Sequence, residues 1–226
     1  MFCKLYDEVV HASFVARSNR FIATAQAEGG EVICHVKNTG RLKELLLPGA
    51  QVILSKSQNP ARKTAYDLVA VYKGDMLVNI DSQAPNRAAG LFLQQMFPSA
   101  KVRMEVSFGD SRLDFHVQQA DTSLFIEVKG CTQEEGELAM FPDAPTLRGV
   151  KHLHTLMSCI ESGHQAMVLF VVQMRPVRAF SPNDAIHAAF GQALRAAKAA
   201  GVQVLAYDCL VTEQGMGIHQ PVQIML

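Results

Sequence analysis

The sequence has no excess of either charge, with 21 Lys plus Arg against 21 Asp plus Glu. Coating of a nucleic acid by overall positive charge is thereby excluded, and contact with a polyanion has to come from a local cluster. No C-x-x-C pair occurs among Cys3, Cys34, Cys131, Cys159 and Cys209. Five thiols at irregular spacing exclude a disulfide framework and a zinc knuckle, and suit small buried hydrophobes in a reducing compartment. None of the eight histidines falls in an H-x-x-x-H or H-E-x-x-H pattern, which removes the helical zinc-site signature. The longest apolar run, AMVLFVV at 166–172, is far too short for a membrane span. The opening MFCKLYDEVV has acids where a signal peptide has its apolar stretch. These features place the chain in the cytoplasm, with no membrane partner. Internal repeats and low-complexity segments are also lacking.

What is present is an ordinary globular composition, 49% hydrophobic and 19% charged over 226 residues, enough for one large domain or two small ones. Residues 1–82 read as β. SFVARSNRFIATAQ, EVICHVKNT, QVILSKS, YDLVAVYKG and MLVNIDS are β-branched or aromatic-rich runs separated by Gly, Asn and Pro turn signals, with one short helical piece, RLKELLL, between the second and third. Five strands around a small helix predict a compact barrel of the oligonucleotide-binding (OB) kind.

A boundary falls near DSQAP at 81–85, and the pattern over 83–226 differs. Asn86 is placed to cap a helix running to about Phe97. The strands KVRMEVSF, LDFHVQ and LFIEVKG follow as a meander. Pro145 or Thr146 opens a helix through LRGVKHLHTLMSCIES, which Gly163 ends, and HQAMVLFVVQ is a buried strand. A second helix, NDAIHAAFGQALRAAKAA, leads to another buried strand, VQVLAYDCLV. The order α-β-β-β-α-β-α-β predicts an α/β layer with a meander feeding a parallel crossover.

The meander carries the chemistry. With Gln119–Thr122 as the loop, Gln118 faces Ser123 and Asp114 faces Glu127. Leu113, Phe115, Val117, Leu124, Ile126 and Val128 then share one face, and Arg112, Asp114, His116, Glu127 and Lys129 the other. Directly opposed Cβ atoms lie roughly 4.5–5.5 Å apart, so two carboxylates there repel unless a cation sits between them. Oxygen ligands with open water positions suit Mg²⁺ or Mn²⁺, and Lys129 is placed to hold a water or a phosphate oxygen. The same pattern also fits a solvated face with weak Glu127–Lys129 or Asp114–Arg112 ion pairs.

Two further clusters bear on partners. On the helix after FPDAP, Arg148, Lys151, His152 and Thr155 fall on one side and Val150, Leu153, Met157 and Ile160 on the other, so the polar side is either a phosphate-binding stripe or an ordinary solvated face. In the barrel, Lys37, Arg41, Lys43, Lys56, Arg62 and Lys63 form a basic tract in which Glu44 is the sole acid between Lys37 and Lys63, with Tyr66 and Tyr72 nearby. Such a rim suits sequence-tolerant tracking of DNA or is simply solvated. Gln173, at the end of a buried strand, either reaches the site or caps the sheet edge.

Asp114, a spacer, then Glu127-x-Lys129 in this element order resembles the core of the PD-(D/E)XK nuclease superfamily. NTGRLKELLLPG, NPARKTAYDLVAV, SRLDF, FIEVKG, FPDAPTLRGVKHL and LFVVQM, in that order over nearly the whole chain, resemble the sugar fermentation stimulation proteins of bacteria and archaea. That resemblance implies a DNA-binding protein with an OB-like domain and a restriction-nuclease-like domain, and carries the nuclease motif onto Asp114, Glu127 and Lys129. The chain departs from the family pattern at Gly130-Cys131, at Pro145 and Leu147, and at Ile186-His187-Ala188. Two functions follow as expectations: a Mg²⁺- or Mn²⁺-dependent nuclease, or a non-catalytic DNA-binding regulator of sugar-utilisation genes.

Overall fold

The computed structural model describes residues 2–226. A short strand β1 (Cys3–Lys4) precedes six strands: β2 (Val9–Asn19), β3 (Ile22–Ala27), β4 (Gly30–Val36), β5 (Gln51–Lys56), β6 (Tyr66–Lys73) and β7 (Met76–Asn79). They hydrogen-bond in the order β4-β3-β2-β5-β6-β7, and a parallel pairing of β4 with β6 closes five of them into a barrel. Closure needs one strand to serve two neighbours. The long β2 pairs with both β3 and β5, and its register shifts near Phe14–Ala16 and Arg17–Asn19 supply the bend. Small side chains such as Ala23 and Ala25 and branched ones such as Val36, Leu54 and Leu68 fill the interior.

RLKELLL does not become a helix. Leu42 takes φ of 49°, Leu46 N–H reaches Leu42 O at 2.9 Å, and the single turn ends before Pro48. Leu42, Leu45 and Leu46 are all buried in the barrel core, as one helical face would be, but Leu42 in the left-handed region at the start and Pro48 at the end leave room for no more than that turn.

The second part runs α1 (Ala84–Met96), β8 (Lys101–Phe108), β9 (Ser111–Gln119), β10 (Thr122–Cys131), β11 (Gln133–Glu135), β12 (Leu138–Phe141), α2 (Leu147–Glu161), β13 (Gln165–Val172), β14 (Ala179–Pro182), α3 (Asp184–Ala199), β15 (Gln203–Thr212), β16 (Gly215–Pro221) and β17 (Gln223–Ile224). One seven-stranded sheet has the order β1-β16-β15-β13-β10-β9-β8, and β10, β13 and β15 are mutually parallel. The order expected from the sequence is all there. Strand β16 and a small sheet of β11, β12, β14 and β17 are added to it. The barrel segment also contributes to this sheet, since Cys3 and Lys4 pair with Met216 and Gly215. Helix α1 packs its Ala88, Ala89 and Leu93 with Phe115, Val117 and Ile126 on one face, while α2 and α3 bury Leu153, Leu156, Phe190 and Leu194 on the other side. Helix α1 starts two residues before the expected cap. Gln83 occupies the N-cap, Pro85 the first turn, and Asn86 is thereby freed to point elsewhere.

In the segment joining barrel to sheet, Asn79, Ile80, Asp81 and Ala84 are buried, although its composition reads as an open linker. Asp81 Oδ2 receives Lys37 Nζ at 2.8 Å and the Tyr6 hydroxyl at 3.2 Å, and Asp81 Oδ1 accepts the Gln83 N–H at 2.9 Å. Asn79 donates to Tyr6, and Gln173 Nε2 donates to Asn79 O, Asn79 Oδ1 and Asp81 O at 3.0–3.2 Å. Burial, with the Asp81 charge beside it, drives the Tyr6 phenol well above its ordinary value. Removing Asp81 strands a largely buried ammonium and a buried hydroxyl. Asp81→Ala is therefore expected to cost about 3 kcal/mol, a fall of about 6–12 °C in Tm for a chain of this size; an unchanged midpoint in thermal or urea unfolding would show that this junction does not hold the two parts together.

Candidate active site where β9 and β10 part

The β9–β10 ladder pairs Gln118 with Ser123 and continues as far as Phe115 with Ile126. Beyond that point β10 follows β13 as far as Cys131 with Val172, and β9 follows β8 down to Ser111. Asp114 sits at the fork. Its Oδ2 accepts the Val128 N–H at 2.8 Å and its Oδ1 accepts Asn86 Nδ2 at 2.8 Å, so a carboxylate replaces the backbone acceptor of the interrupted ladder. Direct pairing of Asp114 with Glu127 is thus corrected by one step, since the ladder ends just before it.

The alternation expected for β9 is also broken there. Phe115 and Val117 pack with α1, whereas Leu113 joins the core under α2. The neighbouring ladder skips the same place: Met104 pairs with Phe115 and Val106 with Leu113, while Glu105 between them takes φ of 53°. A residue forced into the left-handed region marks a local irregularity of the strand, and it re-aims the Asp114 side chain into the fork.

Strand β10 keeps its alternation, so Phe125, Glu127 and Lys129 face α2. Glu127 is 3% exposed. Its Oε1 accepts both Lys129 Nζ and His152 Nδ1. His152 Nε2 in turn accepts Arg148 Nε at 3.3 Å, which leaves the ring proton on Nδ1, directed at Glu127. Glu127 Oε2 is buried and has no hydrogen-bond partner. An orphaned carboxylate oxygen next to a second carboxylate is costly in a closed site.

The two acids are driven apart electrically. Burial, then the Glu127 charge, raises the Asp114 carboxyl above its ordinary value. Burial also acts to raise Glu127, but the His152 and Lys129 donors outweigh it and hold the group low. Asp114 and Glu127 together offer hard oxygen donors, including the unpartnered Oε2, and that donor set fits an oxygen-preferring divalent cation. Among the described residues no three His, Cys, Asp or Glu side chains gather as a ready-made metal cage. A cation held here has to complete its shell from other oxygens.

His152 is the group that the sequence reading leaves on the polar side of its helix. Helix α2 buries two adjoining stripes: Gly149, His152, Leu153, Thr155, Leu156 and Cys159 are buried, and Val150, Met157 and Ile160 pack partly against the core. The Gly149-His152-Leu156-Cys159 spacing carries that signal. The polar stripe is thereby halved, because His152 and Thr155 turn inward; Arg148 and Lys151, the two expected to touch phosphate, stay exposed, with Lys151 on Asp110 at 3.0 Å.

The barrel tract is similarly divided. Lys37 is tied to Asp81, Arg62 makes two hydrogen bonds to Asp67 at 2.6 and 2.9 Å, and Lys56 meets Glu8 at 3.0 Å. Those partners come from outside the tract or from its far edge. Arg41, Lys43 and Lys63 are exposed and make no ion pair among the described residues. Gln173 caps no sheet edge: it lies just past the end of the central strand β13, buried against the barrel junction.

Fold and site define a two-part protein, a closed OB-type barrel followed by an α/β domain with an acidic pair and a lysine at a forked sheet. The family model of the SfsA N-terminal OB domain matches residues 15–80, and that of the sugar fermentation stimulation protein RE domain matches residues 83–215. A sugar fermentation stimulation protein homolog of Clostridium beijerinckii is 44% identical over 224 residues, covering 98% of this chain and 99% of the relative. One from Desulfitobacterium hafniense is 45% identical over 213 residues, 93% of each chain. The solved structure of Pyrococcus furiosus SfsA in complex with Ca²⁺ superposes with a TM-score of 0.89 over the full length of both chains at 24% identity, a likeness of fold. The chain belongs to the sugar fermentation stimulation protein family. No helix among the described residues is long and apolar enough to cross a membrane.

Because Glu127 is held below its ordinary value, its bonds to His152 and Lys129 stabilise the fold above the ordinary glutamate range, and that contribution is lost as pH falls through the lowered value. His152→Ala deletes one donor. In the metal-free protein the Glu127 carboxyl, followed by ¹³C NMR, is expected to titrate higher in the variant than in the wild type, with a loss of about 1–3 kcal/mol in urea unfolding at neutral pH; an unmoved titration would mean that His152 does not hold the carboxylate.

Proposed function

We propose that this protein binds DNA with little sequence preference and hydrolyses phosphodiesters at Asp114, Glu127 and Lys129 with Mg²⁺ or Mn²⁺. The observation that carries the reading is the buried Glu127 Oε2, without a partner and beside a second carboxylate whose pKa its charge raises. A structural ion pair would use both oxygens. Here Oε1 alone satisfies Lys129 and His152, and Oε2 is left for a cation shared with Asp114. The Ca²⁺ in the P. furiosus relative supports a site for a hard cation in this fold.

In this mechanism a bound divalent cation supplies positive charge to the phosphate and acidity to its water. Asp114 and Glu127 would hold it, with Asn86 and the Val128 N–H fixing the Asp114 carboxylate and His152 fixing Glu127. Lys129, 14% exposed at its side chain and already held at Glu127, would orient the attacking water or a phosphate oxygen as a point charge. Affinity would come from exposed cations: Arg41, Lys43 and Lys63 on the barrel, and Arg148 and Lys151 on α2.

The name of the relatives speaks of sugar fermentation, and that favours a second reading, a DNA-binding regulator of sugar-utilisation genes whose nuclease-like site has no turnover. Purified protein on duplex, single-stranded and branched DNA with Mg²⁺, Mn²⁺ or EDTA separates the two. In the first reading Asp114→Asn and Lys129→Ala reduce cleavage by a factor on the order of a hundred or more. Affinity in EDTA behaves differently, holding or tightening in Asp114→Asn, which removes a negative charge, and weakening modestly in Lys129→Ala. Metal-dependent cutting absent from every substrate would leave the regulator; cutting retained at wild-type level in Asp114→Asn would move the chemistry elsewhere.

A second measurement tests the barrel. If about three exposed cations touch phosphates, log affinity should fall against log salt with a slope near −3 on duplex DNA. The Arg41→Ala, Lys43→Ala double variant should flatten it by about two, and a slope near zero in the wild type would exclude backbone contact as the source of affinity.

A further inference from the structure

A cleft of about 530 Å³ opens where the barrel rim meets the C-terminal ends of the parallel strands β10 and β13, the place where ligands commonly bind in α/β sheets. One wall is the barrel, with Arg20 and the segment 38–41. The other is the loop before α2, from Phe141 to Thr146, and the floor holds Gly130, Thr132 and Gln173.

This cleft is built. The Arg17 guanidinium donates to the carbonyls of Gly40, Arg41, Arg20 and Asn38 at 2.6–3.0 Å, fixing both rim loops. Gln173 is 1% exposed, and its Nε2 is fully engaged with Asn79 and Asp81. The amide cannot turn over, so Oε1 is left on the cleft side, without a hydrogen-bond partner among the described residues. A Cβ at position 130 would lie 2.5 Å from that oxygen, and glycine there keeps it open. Across the floor, the Asp143 carboxylate lies against Gly40, where a Cβ would come within 2.2 Å of Oδ2. It too accepts no hydrogen bond among the described residues. Arg20 and Arg41 stand exposed at the mouth with no ion pair among the described residues.

Two cations outside, an aromatic wall at Phe141, and two unpartnered acceptors within, Gln173 Oε1 and the Asp143 carboxylate, match a nucleotide: phosphate at the mouth and base inward. Both acceptors call for N–H donors. Adenine, cytosine and guanine carry an exocyclic amino group with two hydrogens, enough for both acceptors, whereas thymine offers a single N–H, at N3. Thr146 lines the cleft and caps α2, and His152 at the Glu127 site follows six residues later, about 9 Å along the helix, a separation a single strand can bridge.

We propose that this cleft receives one unpaired nucleotide of a DNA strand, and prefers bases with an exocyclic amino group to thymine. The proposal deepens the DNA reading and rests on it. It makes the preferred substrate a duplex with a single-stranded tail, not a continuous duplex.

The test measures fluorescence anisotropy in EDTA, where no cutting intervenes, on a blunt duplex and on the same duplex with a dC or dT tail. The dC-tailed duplex is expected to bind about tenfold more tightly than the blunt one, with the dT tail giving a clearly smaller gain. Asp143→Asn, nearly isosteric but able to donate, should level dC and dT. Arg20→Ala should shrink the gain from either tail, and as an exposed position it keeps the test sound if Asp143→Asn fails to fold. Equal affinity of wild type for tailed and blunt duplexes would overturn the proposal while leaving the DNA reading intact, whereas no binding to any of the three would overturn the DNA reading itself. Capture of free dCMP more tightly than of the dC tail would assign the cleft to a free nucleotide and overturn the strand-bound form.

Discussion

Asp81, itself buried, receives an ammonium, a phenol and a backbone N–H, and the relation between the two halves of the molecule follows from that. Were residues 79–83 a solvated tether, the barrel rim would move relative to the sheet, and nothing would hold Arg20 and Arg41 opposite the loop of Phe141 to Thr146. Buried polar groups are expensive unless every one is matched. Here Lys37 comes from the barrel, Gln173 from the end of β13 and Tyr6 from the segment after β1, so the matching requires both domains to be folded and docked. Strand β1 adds to this, since Cys3 and Lys4 lie in the large sheet before the barrel strands. The two units also meet where Lys73 pairs with Glu134 and Tyr72 with Glu213.

Much of the fold was legible because its core strands are long and strongly patterned. AMVLFVV and the alternating SRLDFHVQQ and SLFIEVKG leave little choice of element, and Gly163 and Gly201 stop their helices where expected. What escaped was short or lacking period. QEE, AFSP and QI have no pattern of their own and become strands only because β12 and β14 find each other across α2. Strand β16, with its two glycines, reads as loop until β15 offers it an edge. RLKELLL failed for the opposite reason, since its helical periodicity was strong but Leu42 in the left-handed region and Pro48 beyond it confine the segment to a single turn.

The site was legible in its residue types and not in its geometry. Alternation along β10 put Glu127 and Lys129 on one face, and that face is indeed covered by α2. Alternation along β9 could not foresee the break at Asp114, because the break is imposed from a third strand, through Glu105. The basic tract shows a related limit. Charges cluster in sequence, but whether a cation is left unpaired depends on acids outside the cluster, and Asp81, Asp67 and Glu8 take Lys37, Arg62 and Lys56. Arg17 and Arg20, which shape the rim, lie outside that tract, inside what the sequence marks as strand and turn.

The fork between β9 and β10 can be weighed as a physical choice. Continuing the ladder would add backbone hydrogen bonds and let Asp114 and Glu127 face solvent in weakly paired form. The chain instead ends the ladder, substitutes the Asp114 carboxylate for a backbone acceptor at Val128, and closes α2 over Glu127 with one oxygen unmatched. Each step costs stability, and together they bring the lysine and the imidazole onto Glu127, with the Asp114 carboxylate near enough to feel the Glu127 charge. The positive groups balance only Oε1. Desolvation weighs most heavily on a group whose charge lacks a partner, so the arrangement gains from any cation that reaches Oε2 and Asp114 together. A sheet built for stability alone would have paired these strands to their ends.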